Sequence, residues 1–182
     1  MSDLVLIKPN TDALETIAAY KNEFLEAKEH LYGGAHLADY DDLEAWIEHT
    51  KAIETEVGVK EGRAPSSTFL CIRQSVRKMA GICNIRHHLQ QAFLINFAGH
   101  IGYSICPSER RQGYAKEQLR LALIEAEKLG ITKALVTCDH QNIASEKTIL
   151  ANGGIYDNIY VDPEDHSQTK RFWIEVIDGN KP

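Results

Sequence analysis

Gly99-His100-Ile101-Gly102-Tyr103-Ser104-Ile105-Cys106-Pro107-Ser108-Glu109-Arg110-Arg111-Gln112-Gly113-Tyr114-Ala115 is the stretch on which the reading of this chain turns. Its first part alternates Ile101, Tyr103 and Ile105 against His100, Gly102 and Ser104, the period of a strand. A polar turn with two arginines and a glycine follows. Ala115, Leu119, Ala122, Leu123 and Ala126 then recur at three- and four-residue spacing, which predicts a helix, and Gly130 is placed to end it. Strand, turn and helix start in that order build an anion site. The first N–H groups of a helix have no intrahelical partner, and the helix dipole favours negative charge there. Gly113 lacks a Cβ, so backbone can approach a phosphate. Arg110 and Arg111 can add charge-assisted hydrogen bonds.

Working outward, Ala134 to Cys138 is a second apolar strand, and Asn142-x-x-Ser145 opens a helix that stops at Asn152-Gly153-Gly154. Upstream, Leu4 to Lys8 reads as a first strand, and Pro9 to Asp12 as a helix start with Thr11 as the cap. Leu14, Ile17, Ala18, Tyr20, Phe24 and Leu25 supply a helical face. Gly33-Gly34 breaks the chain, and a second helix is expected over Asp39 to Thr50. Glu61 to Ser67 is a loop. Thr68 to Arg73 and Met79 to His87 read as paired strands, and Leu89 to Phe97 as a short helix or a loop crossing. Two last strands, near Gly154 to Tyr160 and Lys170 to Val176, flank the polar turn Asp162 to His166. The alternation implies an α/β sandwich around a mixed sheet.

These residues carry a family resemblance. Arg110-x-x-Gly113-x-Ala115 resembles the pyrophosphate-binding motif of the GNAT superfamily of N-acetyltransferases, and Asn142-x-x-Ser145 stands where that family has an Asn-x-x-Ser or Asn-x-x-Ala helix. Arg86-His87-His88-Leu89 with Gly99-His100-Ile101-Gly102-Tyr103 is similar to a bacterial branch of predicted acetyltransferases. The likeness is specific over residues 99–154. Other Gly-rich phosphate loops, G-x-x-x-x-G-K-[ST] and G-x-G-x-x-G, are absent from the sequence.

The resemblance implies a three-layer sandwich, with a central mixed, twisted sheet of about six to seven strands flanked by helices, in a single acetyltransferase-like domain over residues 1–182. It implies acetyl-coenzyme A as cosubstrate, lying between the His100–Ile105 and Ala134–Cys138 strands. Tyr103, Ser104 and Ile105 would pair with its pantetheine arm. Arg110, Arg111, Gln112, Gly113, Tyr114 and Ala115 would hold its pyrophosphate, and Asn142 and Ser145 would face it, unless they only cap their helix. The activity implied is transfer of an acetyl group to a primary amine of a small molecule, an amino acid derivative or a peptide. The alternative is a non-catalytic coenzyme A-binding or sensor module.

An amine must lose a proton before it attacks, and histidine titrates near neutrality. His87, His88 and His100 are the candidates. Arg86 could bind a substrate carboxylate or pair with a structural acid. The family often has a tyrosine seven residues after the Asn, to protonate the departing thiolate. Here Ile149 holds that position, and Tyr156 is the candidate substitute.

Composition sets bounds. The chain has 182 residues, 43% of them hydrophobic, which suits one domain with a sizeable core. A net charge of −6 disfavours nucleic acid as a partner. No run approaches the ~18 apolar residues of a membrane span, and Met1 to Asn10 lacks the marks of a signal peptide. A cytoplasmic enzyme is expected, with no metal and with a homodimer allowed. The four cysteines, Cys71, Cys83, Cys106 and Cys138, form no C-x-x-C pair and read as buried thiols. A catalytic role for Cys138 is the rival reading.

Overall fold

The structure, a computed structural model, describes residues 3–176. Met1, where the N-terminal stretch read for a signal peptide begins, lies outside them. Among the described residues, seven strands and four α-helices follow one another in the anticipated order. They are β1 (Leu4–Ile7), α1 (Leu14–Ala27), α2 (Leu43–Ala52), β2 (Ser66–Arg73), β3 (Lys78–Arg86), β4 (Ile101–Ile105), α3 (Tyr114–Lys128), β5 (Lys133–Asp139), α4 (Ile143–Leu150), β6 (Ile155–Val161) and β7 (Gln168–Glu175). The strands form two antiparallel sheets, β1-β2-β3-β4 and β5-β7-β6. The ambiguous stretch before β4 holds one turn of π-helix, Leu94–Ala98.

Each face of the first sheet has its own cover, because strand side chains alternate. Leu70 and Ile82 face Ile17, Tyr20 and Phe24 of α1 and Trp46 and Ile47 of α2. Phe69, Cys83, Ile85 and Ile101 face Leu119, Ala122 and Ala126 of α3, in a core that continues through Val136, Ile149 and Phe172. β2 and β3 are therefore buried on both faces and carry apolar residues at successive positions.

Local chemistry fixes the helix ends. Asp42 Oδ1 accepts the Glu44 and Ala45 N–H groups, so α2 starts at Leu43 rather than at Asp39, where the acidic run opens. The first cap is Asn10 rather than Thr11. Its Oδ1 accepts the Asp12 N–H and starts a 3-10 turn, Thr11–Ala13, from which α1 continues. Leu25, expected on the apolar face of α1, is 54% exposed, while Lys21 takes a buried place and donates to Tyr40 O at 2.5 Å. All four cysteines are free and buried. Cys71 stands opposite Gly81, and Cys83 opposite Phe69, so the hairpin does not face them directly.

Candidate active site

The two sheets meet at one point. His100 donates its backbone N–H to Leu135 O at 2.7 Å, and its ring Nδ1 accepts the Leu135 N–H at 2.9 Å. Both backbone groups of Leu135 on that side are thus met by a single residue. Beyond it, no backbone hydrogen bond joins β4 to β5 among the described residues. β4 consequently has one paired edge and one open edge. The Arg86 N–H donates to His100 O, and the Cys106 N–H to Ala80 O, both at 2.8 Å, which turns the even-numbered backbone groups toward β3. The alternation of an antiparallel pair then turns the N–H groups of Ile101, Tyr103 and Ile105, with Tyr103 O, into the splay.

The open edge leads to the loop before α3. A 3-10 turn, Pro107–Glu109, follows β4. Its buried Glu109 binds Lys78 at 2.9 Å and Arg73 at 3.1 Å. Ser108 N–H and Oγ donate to the two carboxylate oxygens of Glu23 on α1, at 3.1 and 3.0 Å. The loop is therefore clamped from both sides. Arg111 and Gly113 adopt φ of +62° and +81°. Nothing lies within 4 Å of where a Cβ on Gly113 would sit, so the positive φ, not crowding within the chain, requires glycine there. The N–H groups of Tyr114, Ala115 and Lys116 open α3 without intrahelical acceptors. No side chain caps them. Arg110 is occupied. It forms a two-pronged pair with Glu29, at 3.0 and 2.5 Å, and its Nε reaches Ile105 O at 3.3 Å. Arg111 and Gln112 are exposed.

Across the splay, Asn142 caps α4 by accepting the Ser145 N–H at 3.0 Å. Ser145 Oγ lies 2.9 Å from the Tyr103 hydroxyl, whose pKa burial pushes up to about 12. Cys138 nearby is held as a thiol, its pKa pushed up to about 11 by desolvation, which argues against a nucleophilic role at neutral pH. Ser104 points the other way, and its Oγ donates to Tyr32 O at 2.6 Å in the α1–α2 loop. That loop comes close because neither side has a side chain. A Cβ on Gly33, at φ +71°, would lie 2.3 Å from Gly102 O.

The four proton-transfer candidates are not brought together. His100 is 8% exposed, and desolvation, with the Arg86 charge beside it, lowers its pKa to about 4. Its one available lone pair already receives the Leu135 N–H. His87 Nε2 lies 3.0 Å from Ser67 Oγ, and burial lowers its pKa. His88 Nε2 is 3.2 Å from Glu56 Oε1, and its ring lines a cavity of about 380 Å³ with Lys60, Arg63, Gln90 and Gln91. Tyr156 is 53% exposed on β6, in register with Phe172 of β7 and through it with Val136 of β5. Two strand spacings, roughly 10 Å, therefore separate it from the strand that borders the splay.

Three side chains that shape the site went unread in the sequence. Glu29 holds Arg110. Gln118 is fully buried, and its Nε2 donates to Ile82 O at 2.9 Å, under the open strand. The Tyr103 hydroxyl ties β4 to α4. The only signal for Gln118 was its polar place on the apolar stripe of α3.

Residues 3–155 match the family model of the acetyltransferase (GNAT) domain. The chain belongs to the GNAT acetyltransferase family. Solved structures share the fold across nearly the whole chain. A Salmonella typhimurium acetyl transferase that modifies the N-terminal serine of ribosomal protein L7/L12 has a TM-score of 0.64 at 19% identity, covering 98% of this chain and 97% of its own. The dodecameric spermidine N-acetyltransferase of Vibrio cholerae has a TM-score of 0.64 at 13% identity, covering 97% and 95%. The microcin C7 self-immunity acetyltransferase, in complex with acetyl-CoA and AMP, has a TM-score of 0.65 at 14% identity, covering 96% and 93%. A comparison with curated protein sequences finds no match. Among the described residues of this GNAT chain, no helix is long and apolar enough to cross a membrane.

The residues fit an acetyl-coenzyme A. Free N–H groups at alternate positions of β4 suit an amide-bearing arm laid along a strand edge. The uncapped α3 start, beside two arginines, suits a pyrophosphate.

Proposed function

We propose that the chain is an acetyl-coenzyme A-dependent N-acetyltransferase acting on a primary amine of a small molecule, an amino acid derivative or a peptide. The observation that carries this reading is the open edge of β4 running directly into the uncapped start of α3. The backbone of Tyr103, Ser104 and Ile105 would hold the pantetheine arm. Arg110, Arg111, Gln112, Gly113, Tyr114 and Ala115 would hold the pyrophosphate. Bound there, the cosubstrate supplies an acetyl thioester. N–H groups of β4 in the splay supply hydrogen bonds to an oxygen that gains negative charge during acyl transfer. Asn142 acts as the cap of α4, and Ser145 orients the Tyr103 hydroxyl. A lysine-like amine with a pKa of about 10.4 is neutral in only ~10⁻³ of molecules at pH 7, so a proton must be removed. We assign that step to His88, the histidine whose ring borders an open cavity and has a carboxylate beside it, and we assign His100 to positioning. The reading fits one acetyltransferase domain in a cytoplasmic setting.

Thiol release from acetyl-coenzyme A over a panel of amines tests the activity, and a thermal shift with coenzyme A tests the site. Gly113→Asp should abolish the shift, because it places a carboxylate at the anion site in a backbone conformation that favours glycine. No shift with the natural chain would end the proposal. A second reading, a coenzyme A-binding module without catalysis, is favoured by Ile149, which is fully buried where the family often has its tyrosine acid. It predicts binding without thiol release for every amine.

A further inference from the structure

Arg86 ends β3 beside the point where the sheets part, since its own N–H donates to His100 O. Its Nη1 donates to Ala98 O and Gly99 O, both at 3.1 Å. Neither acceptor carries a charge. Among the described residues no carboxylate pairs with it, whereas the other enclosed arginines are matched, Arg73 to Glu109 and Arg171 to Asp157. Desolvation alone brings its pKa down to about 10, with no anion to offset it. A buried charge without a counter-ion is costly.

Part of the guanidinium is left unpaired. Nη2 and Nε have no partner among the described residues, and neither is a sealed buried atom. Nη1 lies 3.7 Å from where a Cβ on Gly102 would sit, and Gly33 Cα lies 3.5 Å from the same point, so two residues without side chains stand beside the Nη1 end of the guanidinium. The polar residues next along this face of the sheet are neutral. Asn84 Nδ2 donates to Ser66 Oγ and Thr68 Oγ1, both at 3.0 Å.

We propose that Arg86 anchors a carboxylate of the acceptor, so that the molecule acetylated at this site carries both an amine and a carboxylate. The free Nη2–Nε edge of the guanidinium matches a carboxylate in a two-pronged pair. Arg86 is then a specificity residue, and its second job is to hold the Ala98–Gly99 turn. The inference rests on the acetyl-transfer reading.

The test compares common amino acids with their carboxamides in the thiol-release assay. The amine of a carboxamide is the more readily deprotonated of the two, so chemistry alone favours it. The natural chain should instead prefer the acid, by about 10- to 100-fold in kcat/KM. Arg86→Gln should lose that preference through KM for the acid, so that the loss with the acid exceeds any loss with the carboxamide by about tenfold or more. Arg86→Lys keeps the charge without the fork and should lie between. A natural chain that uses carboxamides as well as acids overturns the inference, whatever the variants do. So does an Arg86→Gln that slows both members of a pair equally, since that is the mark of the turn clamp alone. Absence of thiol release with these pairs, while another amine of the panel is acetylated, overturns this inference alone; absence with every amine of the panel overturns the acetyl-transfer reading, and this inference with it.

Discussion

His100 is the perturbation to make, because one side chain joins two sheets and its protonation would part them. The ring is 8% exposed, and Nδ1 holds the Leu135 N–H at 2.9 Å. Its pKa falls from 6.5 to about 4 on folding, through desolvation first and then the Arg86 charge. The sign follows from proton counts. Above pH 6.5 the imidazole is neutral in both folded and unfolded chains and favours neither. Between 6.5 and 4 the unfolded chain binds a proton that the folded chain refuses, so stability falls as pH falls. Each pH unit across that window is worth about 1.4 kcal/mol, so the full penalty is about 3 kcal/mol. His100→Asn keeps an acceptor near the position of Nδ1 and does not titrate. Urea unfolding of both proteins from neutral pH to pH 4 gives the comparison. Carboxylates with lowered pKa, such as Asp3 and Glu29, weaken both proteins alike and cancel in the difference. The natural chain should lose about 3 kcal/mol more than His100→Asn over this range. Parallel curves, or an imidazole signal titrating near 6.5, would refute the reasoning. Turnover gives a second check. Loss of a general base costs about 10²–10⁴-fold, whereas a positioning role predicts a smaller loss at neutral pH.

Three further outcomes are expected. Gly33→Ala combines a positive φ with a Cβ 2.3 Å from Gly102 O, so it should cost at least ~3 kcal/mol, roughly 6–12 °C in Tm, while Gly113→Ala, at a similar φ in open space, should cost about 1–2 kcal/mol; equal losses in calorimetry would show that the Gly33 loop is free to shift. Glu29→Gln removes the competitor for Arg110 and should tighten coenzyme A about two- to fivefold by titration calorimetry, with stability changed by under ~1 kcal/mol because the pair is exposed; weaker binding would mean that Arg110 works from its place on Glu29. Tyr156→Phe should leave turnover within about twofold, and a tenfold fall would return Tyr156 to the site.

Periodicity and end signals made the order of elements legible. Gly130 and Asn142 end and begin helices as read, because both act through backbone close in sequence. Leu25 was misplaced because its burial depends on what lies across α1, and Lys21 took the inner position through a carbonyl 19 residues away. The division into two sheets was not legible for a similar reason. It depends on the His100 ring meeting a backbone group 35 residues on, and a histidine in a strand gives no sign of that. The positive φ of Gly113 before α3 follows from local sequence. The grip of Glu29 on Arg110 spans 81 residues and could not.

The open edge of β4 has a signature in exchange with solvent. The amides of Gly102 and Ser104 lie in the ladder with β3, and those of Tyr103 and Ile105 point into the splay. Within one short strand, hydrogen exchange should therefore alternate between slow and fast from residue to residue. Each fast amide is a separate reporter, silent about the rest of the fold. Whatever ligand lies along that edge would slow them one by one, and the order in which they slow would trace how far along the strand it reaches.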